Sequence, residues 1–385
     1  MLGYSRMNRD VIIVGGGVIG CSIALKLADA GLKVVIIERG RVGCEASRAA
    51  AGMLAAQSER SNSGPFFDLC LRSRSMYREF AARLQEDSGI DVEYKDEGVL
   101  SVLLRDEDAE DSARWCSWQT QAGLTLERLS ASDTRDVEPA VTEAATGAIF
   151  IPGDHQIENR RLMDALEVAI ERAGVRLMES AEVSALLTDR SRVTGVVSAG
   201  QRLEAGAVVV AAGAWSSQLL EPLGLNVKVV PARGQMIAVR GQANLIKRVI
   251  HSSKVYLVPR RDGRILIGAT VDYAGFEKAV TIDGISALLS GARALVPSIG
   301  GLEVTETWSG LRPDTSDHLP IIGPAGVDGL VLATGHFRNG ILLAPVTSEL
   351  VSELINTGRT PDELKPFSAD RFEPSLPRKK ELHSA

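Results

Sequence analysis

The sequence predicts an α/β fold, in which helices cover a parallel sheet and an antiparallel β-rich domain is inserted into that unit. Three observations predict this class. An apolar run leads into a glycine turn and an apolar helix at residues 10–30, and a second apolar run follows at residues 33–38. Apolar strand-like runs and helical segments alternate again in residues 159–216. In residues 230–269, by contrast, such runs come in pairs without helices between them. Strands that alternate with helices favour a parallel sheet, and consecutive strands favour antiparallel pairing.

The first strand, turn and helix fit the dinucleotide-binding fingerprint of Rossmann-like domains. The turn contains Gly15, Gly17 and Gly20, and the second strand ends at Glu38. In this motif Gly15 permits a tight turn, Gly17 lets backbone approach a pyrophosphate, and Gly20 lets the helix pack closely on the strand. Glu38 is placed to accept hydrogen bonds from ribose hydroxyls, and an acid there disfavours a 2′-phosphate. FAD or NAD is therefore predicted rather than NADP.

The same stretch also resembles a secretion signal, because Arg6 and Arg9 precede a run of apolar and glycine residues from Val11 to Leu25, and Val18–Cys21 resembles a lipoprotein cleavage box. Glycines interrupt that run, and the strand–turn–helix pattern continues through it to Glu38, so secretion is disfavoured. The first six residues are interpreted as an extra arm or an upstream start, because Met7 stands directly before the unit.

Composition narrows the function classes. The chain has 385 residues and a formal net charge of −6, which provides no electrostatic footprint for nucleic acid. No apolar run of about 18 residues occurs, so no stable membrane insertion is expected. The four cysteines form no Cys-x-x-Cys pattern and the five histidines have no metal-binding spacing, so we expect neither a metal site nor a disulfide framework. A cytoplasmic location is the simplest interpretation.

Periodicity assigns the remaining elements. Helices are predicted at residues 66–86, 106–121, 159–173 and 282–295, and a last helix through about 355; strands are predicted within 92–104 and 181–197 and at 146–151, 175–178, 205–213, 230–239, 248–252, 255–259, 264–269 and 330–334. These elements predict a discontinuous nucleotide-binding domain at residues 8–90, 150–222 and 313–362, a β-rich domain at residues 91–149 and 223–312, and a loose tail at residues 366–385.

Several motifs match one group of flavoenzymes. They are the glycine turn with Glu38, the loop Ser47–Leu54 (Ser-Arg-Ala-Ala-Ala-Gly-Met-Leu), Tyr256-Leu-Val-Pro259, Gly268-Ala-Thr270, Trp308-Ser-Gly-Leu-Arg-Pro313 and the segment Gly335–Pro345. On these motifs, which span roughly residues 9 to 360, the chain resembles the FAD-dependent D-amino-acid oxidase family, and within it the branch that oxidises glycine for thiazole synthesis in thiamine biosynthesis.

The resemblance implies FAD that is bound without a covalent link, because no cysteine follows Cys116 and no histidine lies within residues 39–54. It also implies that a turn and helix start at the flavin's pyrimidine edge stabilise negative charge there. The implied cofactor-binding residues are Gly15, Gly17, Val18, Ile19 and Gly20 at the turn; Glu38, Arg39 and Val183 at the adenosine end; Ala46, Ser47, Ala51, Gly52 and Met53 beside the flavin ring; and His336, Phe337, Arg338, Asn339, Gly340, Ile341 and Leu342 at its pyrimidine edge.

The resemblance further implies a flavoprotein oxidase that deaminates glycine to glyoxylate through the imine, with ammonia and hydrogen peroxide, by hydride transfer from the α-carbon to FAD N5. Arg312 would hold the substrate carboxylate in a bidentate fork, and Tyr256 would donate its hydroxyl to the same group. Arg338 would line the opposite side. No acid–base residue is expected, because positioning and the cofactor supply the chemistry.

The expected partners are glycine, oxygen, a thiazole synthase that receives the imine, and further copies of the chain in a homo-oligomer. Lys254 and Val271 depart from the family pattern, which carries histidine and methionine there. Oxidation of sarcosine or small D-amino acids, or a dehydrogenase with another electron acceptor, therefore stays open. A non-catalytic flavin-binding module of a larger assembly is a further alternative, and the intact pair of Tyr256 and Arg312 counts against it.

Overall fold

The computed structural model describes residues 10–59, 63–104, 106–241 and 244–372. Its strands are β1 (Asp10–Val14), β2 (Lys33–Ile37), β3 (Met53–Leu54), β4 (Val99–Leu103), β5 (Glu127–Ser130), β6 (Gly147–Ile151), β7 (His155–Gln156), β8 (Arg176–Met178), β9 (Val183–Asp189), β10 (Arg192–Ser198), β11 (Gln201–Glu204), β12 (Ala207–Val210), β13 (Val230–Arg240), β14 (Val249–His251), β15 (Tyr256–Pro259), β16 (Arg264–Gly268), β17 (Glu303–Asp314), β18 (Ile321–Pro324) and β19 (Leu330–Thr334). Its helices are α1 (Val18–Asp29), α2 (Ala46–Ala49), α3 (Pro65–Ser88), α4 (Asp106–Gln121), α5 (Ala131–Val137), α6 (Asn159–Arg172), α7 (Ser216–Leu220), α8 (Ile282–Leu295) and α9 (Gly340–Thr357).

A six-stranded sheet, in the order β18-β19-β12-β1-β2-β8, is the frame of the nucleotide-binding unit. The five strands from β19 to β8 run parallel, and β18 joins the edge antiparallel to β19. The predicted α/β class is confirmed. The strand β18 is an addition that the sequence analysis did not predict.

The two faces of this sheet are covered differently. Ile13 and Ile36 on one face pack against α1, α3, α6 and α9, whereas Ile12 and Val14 on the other face pack against β9 and β10. Parallel strands need cover on both faces. The prediction that helices cover the sheet holds for one face, and a three-stranded antiparallel sheet, β11-β10-β9, covers the other.

An eight-stranded sheet, β17-β13-β16-β15-β14-β4-β6-β5, forms the β-rich unit. Successive residues of β13 point to opposite faces, as the two-residue period of a strand requires. Ile237 and Val239 pack against α8, whereas Met236 and Ala238 join Ala51 in a separate cluster on the other face. The sheet therefore has one face for its own core and one face turned toward the nucleotide-binding unit.

Three local predictions need correction. The segment 92–98 forms only an isolated bridge at Lys95, so the predicted strand pair within 92–104 reduces to β4. The strand β14 pairs in parallel with β4, although the sequence predicted antiparallel pairs in this region. The start of the tail is anchored, because Phe367 is 1% exposed and Arg371 forms an ion pair with Asp317 at 2.7 Å. Residues 373–385 of the predicted tail lie outside the described residues.

We propose that the six-stranded and eight-stranded sheets are the cores of the two predicted domains. Strand pairing supports small shifts in the predicted boundaries. Residues 150–151 belong to β6 and residues 313–314 belong to β17, and both strands are part of the eight-stranded sheet. Among the described helices, none is both long enough and apolar enough to span a bilayer.

Candidate active site

A cavity of about 510 Å³ opens where the glycine turn, the loop that contains α2, the eight-stranded sheet and the start of α9 meet. Its volume lies within the usual range for small-molecule sites, roughly 300–1,000 Å³. The sequence-predicted site residues that line it are Gly15, Gly17, Val18, Ile19, Glu38, Arg39, Ala46, Ser47, Ala51, Gly52, Met53, Val183, Tyr256, Arg312, His336, Phe337, Arg338, Asn339, Gly340 and Ile341.

The glycine turn brings backbone to the cavity wall. Gly15 has φ +110°, and a Cβ there would overlap the carbonyl oxygen of Ala211 on the neighbouring chain segment. Helix α1 follows, and its N-cap residue Gly17 provides no side-chain cap. Because the first N–H groups of a helix lack intrahelical partners, this helix start is suited to hold an anionic group such as a pyrophosphate.

Glu38 stands at the end of β2 and is only 8% exposed. Its carboxylate accepts hydrogen bonds from the backbone N–H of Gly16 at 2.7 Å and of Gly40 at 2.8 Å. Each carboxylate oxygen can accept more than one hydrogen bond, so both still have capacity toward the cavity. This geometry fits an acceptor for ribose hydroxyls.

Trp215, which sequence reasoning missed, lines the cavity beside Arg39. The Arg39 guanidinium lies 3.6 Å from the centroid of the Trp215 ring, and Phe276 stacks on the same ring at 5.3 Å. Trp215 is the last residue of the 3₁₀ turn that comes shortly after β12. Ligands of parallel α/β sheets bind beyond the carboxyl ends of the strands, and this position was the available signal.

The loop that contains α2 presents small residues to the cavity. Ser47 accepts a hydrogen bond from the backbone N–H of Val18 at 2.9 Å, which ties this loop to the glycine turn. Gly52 has φ +69°, and a Cβ there would overlap the carbonyl oxygen of Ile157. Ala46 and Ala51 line the cavity nearby, so a flat ring system can lie close to this backbone.

The start of α9 closes another side of the cavity. Asn339 is the N-cap residue of this helix, but its side chain accepts no hydrogen bond from the first turn. The N–H groups of that turn therefore remain available to a ligand. The backbone N–H of Phe337 donates to the carbonyl of Pro313 at 2.8 Å and fixes the turn against β17. His336 is 3% exposed, and desolvation lowers its pKa to about 3, so its ring is neutral at physiological pH.

Glycines on neighbouring strands make room for two polar side chains and for the loop that contains α2. A Cβ on Gly234 of β13 would overlap the Arg312 guanidinium, and a Cβ on Gly268 of β16 would lie 2.6 Å from the Tyr256 ring. Gly310 of β17 packs against the loop that contains α2, where a Cβ would lie 2.5 Å from that of Ala49. The strands β13, β15 and β17 thus bring Arg312 and Tyr256 to the same wall.

Arg312 has few internal partners. Its Nη1 donates to the carbonyl of Thr270 at 3.1 Å, and within the described ranges no carboxylate forms an ion pair with it. Tyr256 directs its hydroxyl toward the sulfur of Met236 at 3.5 Å, which is a weak contact. Both groups therefore have hydrogen-bonding capacity that a carboxylate in the cavity would satisfy.

The structure separates four highlighted residues from the cavity lining. Gly20 is buried against the backbone of Gly15, where a Cβ would overlap its carbonyl oxygen. Leu342 is 1% exposed and its carbonyl accepts from Ser73 at 2.6 Å. Lys254 is exposed, and Val271 is 43% exposed. The two positions that depart from the family pattern therefore do not line this cavity.

The residues present fit FAD. A glycine turn that leads into a helix start, a buried carboxylate at the end of β2, a loop of small residues and a second helix start whose N-cap side chain makes no hydrogen bond all line one cavity. In the described part of the chain, no cluster of three or more histidine, cysteine, aspartate or glutamate side chains is arranged to hold a metal ion. The donor set thus matches a dinucleotide with an anionic pyrophosphate and ribose hydroxyls.

Comparisons with known proteins agree with this geometry. The family model described as FAD dependent oxidoreductase (DAO) matches residues 10–354. A glycine oxidase of Geobacillus kaustophilus is 39% identical over 365 residues, which are 94% of this chain and 97% of that protein. The bifunctional protein ThiO/ThiG of a Synechocystis species is 37% identical over 374 residues, 95% of this chain and 54% of that protein. The crystal structure of glycine oxidase from Geobacillus kaustophilus matches with a TM-score of 0.91 and 39% identity, covering 95% of this chain and 99% of that one.

Proposed function

The chain belongs to the DAO family of FAD-dependent oxidoreductases, and from that premise we propose that it is a glycine oxidase. FAD is its cofactor, and the reaction class is oxidation of an amine. The overall reaction converts glycine, oxygen and water into glyoxylate, ammonia and hydrogen peroxide. The chemistry that bound FAD would supply is acceptance of the substrate hydride and transfer of two electrons to oxygen.

The observation that carries the proposal is the pair formed by Arg312 and Tyr256 in the same cavity as the FAD-binding elements. The Arg312 guanidinium is free of carboxylate partners in the described residues, so it can hold a substrate carboxylate in a bidentate fork. Tyr256 can donate its hydroxyl to the same carboxylate. Two fixed contacts to one carboxylate orient the α-carbon, and such orientation contributes strongly to the rate.

We further propose that the imine or glyoxylate passes to a thiazole synthase. A relative named as a bifunctional protein ThiO/ThiG supports this, because this chain matches about half of that protein's length. A fused second unit at the remaining half would receive the product locally. Homo-oligomerisation and a cytoplasmic location stay predictions from the sequence.

Oxygen uptake by the purified yellow protein tests the proposal, with glycine, sarcosine and D-alanine assayed in parallel. We expect uptake on glycine with one hydrogen peroxide formed per oxygen consumed. Uptake on sarcosine or D-alanine but not on glycine would assign the chain to the same reaction with another substrate. Bleaching of the flavin by glycine without oxygen uptake would indicate a dehydrogenase. No response to any amino acid would contradict the enzyme and favour a flavin-binding module.

A further inference from the structure

An ion pair in the cavity wall has no role in the chemistry described above. Arg338 Nη2 lies 3.4 Å from Glu59 Oε2, with side chains that are 40% and 19% exposed. Both residues line the cavity that contains Arg312 and Tyr256. Arg338 belongs to the site residues implied by the resemblance, whereas Glu59, which lies five residues after the loop Ser47–Leu54, is in none of the motifs.

The buried carboxylate of Asp154 holds the turn that precedes Glu59. Asp154 has no exposed side-chain surface, and its carboxylate accepts from the backbone N–H of Gln57 at 3.0 Å and of Ser58 at 2.7 Å. The same carboxylate forms an ion pair with Arg74 at 2.6 Å. The turn that precedes Glu59 is therefore fixed by contacts that do not involve Glu59 itself.

The charged groups at this end of the cavity all act on the Tyr256 hydroxyl. Burial raises the pKa of Tyr256, the guanidinium groups of Arg312 and Arg338 lower it, and the Glu59 carboxylate raises it. These three ionised groups sum to one net positive charge. The reactive form of an α-amino acid has a neutral amine and one carboxylate, so its net charge of −1 complements this end of the cavity.

We propose that Glu59 is a specificity residue that neutralises Arg338, so that only Arg312 offers an unpaired positive charge and substrates with a single carboxylate are preferred over dicarboxylic amines. The inference rests on the proposed function, because it concerns the substrate carboxylate that Arg312 binds. Without Glu59, two guanidinium groups would face the cavity, and a second carboxylate would find a partner.

The test compares the FAD-loaded wild type with Glu59→Gln, the double variant Glu59→Gln/Arg338→Met and the control Glu363→Gln. The control breaks another arginine–glutamate pair, since Glu363 lies 2.9 Å from Arg72 outside the cavity lining. Glu59→Ser is a second single variant that removes the same charge should Glu59→Gln fail to fold. FAD content and thermal stability confirm that each form is intact.

Two matched ligand pairs report on the second carboxylate. Acetate and malonate are titrated against the visible absorbance of bound FAD, and sarcosine and iminodiacetate are compared as substrates by kcat/KM. We expect Glu59→Gln to raise the preference for malonate over acetate, and for iminodiacetate over sarcosine, by about tenfold, because a charge-assisted contact becomes available. The gain should vanish in the double variant and be absent in Glu363→Gln.

The proposal would be overturned if the preference for the dicarboxylate stayed within about twofold of wild type in both Glu59→Gln and Glu59→Ser. A gain that persists in the double variant would also overturn it, because Arg338 would not be its source. Wild-type turnover of glycine is measured in the same experiment. Its absence would contradict the proposed function, while the acetate and malonate titrations would still decide the role of Glu59.

Discussion

The two ends of the cavity are built in different ways. Most of the nucleotide end comes from one contiguous stretch, β1–α1–β2, with Val183 and Trp215 beside it, and this stretch presents backbone N–H groups, a glycine turn and one carboxylate. The substrate end is assembled from β13, β15, β17 and the start of α9, which are far apart in the chain, and it presents side chains. At the nucleotide end, an added side chain would occupy the space where backbone approaches the ligand. At the substrate end, binding depends on the charges of the side chains. Substitutions at the two ends should therefore fail differently.

The largest effect should come from Gly15→Ala at the nucleotide end. The added Cβ would overlap the Ala211 carbonyl oxygen at a position with φ +110°, so we expect loss of FAD and destabilisation by about 3 kcal/mol or more. Gly31→Ala is the matched control, because its φ is +78° but nothing lies within 4 Å of the new Cβ. The control should cost about 1 kcal/mol and retain FAD. The ratio of flavin to protein absorbance measures the FAD content, and thermal unfolding measures the stability. Equal FAD content in the two variants would contradict the role of Gly15 in FAD binding.

The next effect should come from Arg312→Leu at the substrate end. Loss of the guanidinium removes a charge-assisted bidentate contact, so kcat/KM for glycine should fall about 100-fold, mainly through KM. FAD should stay bound, because the Arg312 side chain hydrogen-bonds the carbonyl of Thr270 and packs beside Gly234, and neither residue belongs to the nucleotide end. Arg240→Leu, an exposed arginine on β13 outside the cavity lining, is the control. Steady-state kinetics with spectra of bound FAD are the measurement. Loss of FAD in Arg312→Leu would show a structural role instead.

A smaller effect at the same end should follow from Tyr256→Phe. The ring still fills the space beside Gly268, and only the hydroxyl contact to the carboxylate is lost, so KM should rise about tenfold. Tyr94→Phe serves as the control, because that hydroxyl bonds His155 at 2.6 Å outside the cavity. The KM for glycine should be lowest in wild type, higher in Tyr256→Phe and highest in Arg312→Leu. An unchanged KM in Tyr256→Phe would remove the hydroxyl from carboxylate binding.

The smallest effect concerns the buried His336, which lines the cavity just before α9. Burial lowers its pKa to about 3, below the unfolded value near 6.5, so the unfolded chain binds a proton more readily. The stabilisation is complete above pH 6.5 and is lost as the pH falls toward 3. Between pH 7 and 5.5 the free energy of unfolding should fall by about 1 kcal/mol through this group. Urea unfolding of wild type and His336→Gln should show a shallower acid dependence in the variant; identical slopes would contradict it.

Sequence reasoning succeeded where the determining contacts are local. The helix at 282–295 was predicted with its observed bounds, and the fold class follows from alternating periodicity. It failed where tertiary pairing decides. The segment 92–98 has apolar residues but finds only one bridge partner, and β14 finds β4 in parallel although its sequence neighbours are antiparallel. Strand propensity describes suitability for a sheet, and the choice of partner depends on the whole chain.

The site shows the same division. Gly15, Gly17 and Glu38 followed from spacing alone, because a turn, a helix start and a strand end are consecutive in the chain. Trp215 and Glu59 were missed, because each reaches the cavity through the position of its segment and carries no motif. Lys254 and Val271 were highlighted by their departure from a pattern, yet neither lines the cavity.

The amino-acid order was enough to establish the fold class, the dinucleotide fingerprint and, through short motifs, the family resemblance. These features depend on residues that are close in the chain, where periodicity and backbone geometry act directly. Only the tertiary structure showed that Arg312 is unpaired among the described residues while Arg338 is paired with Glu59. Charge balance in a cavity is a sum over residues that meet only after folding, because strands distant in sequence must first pair to form its wall.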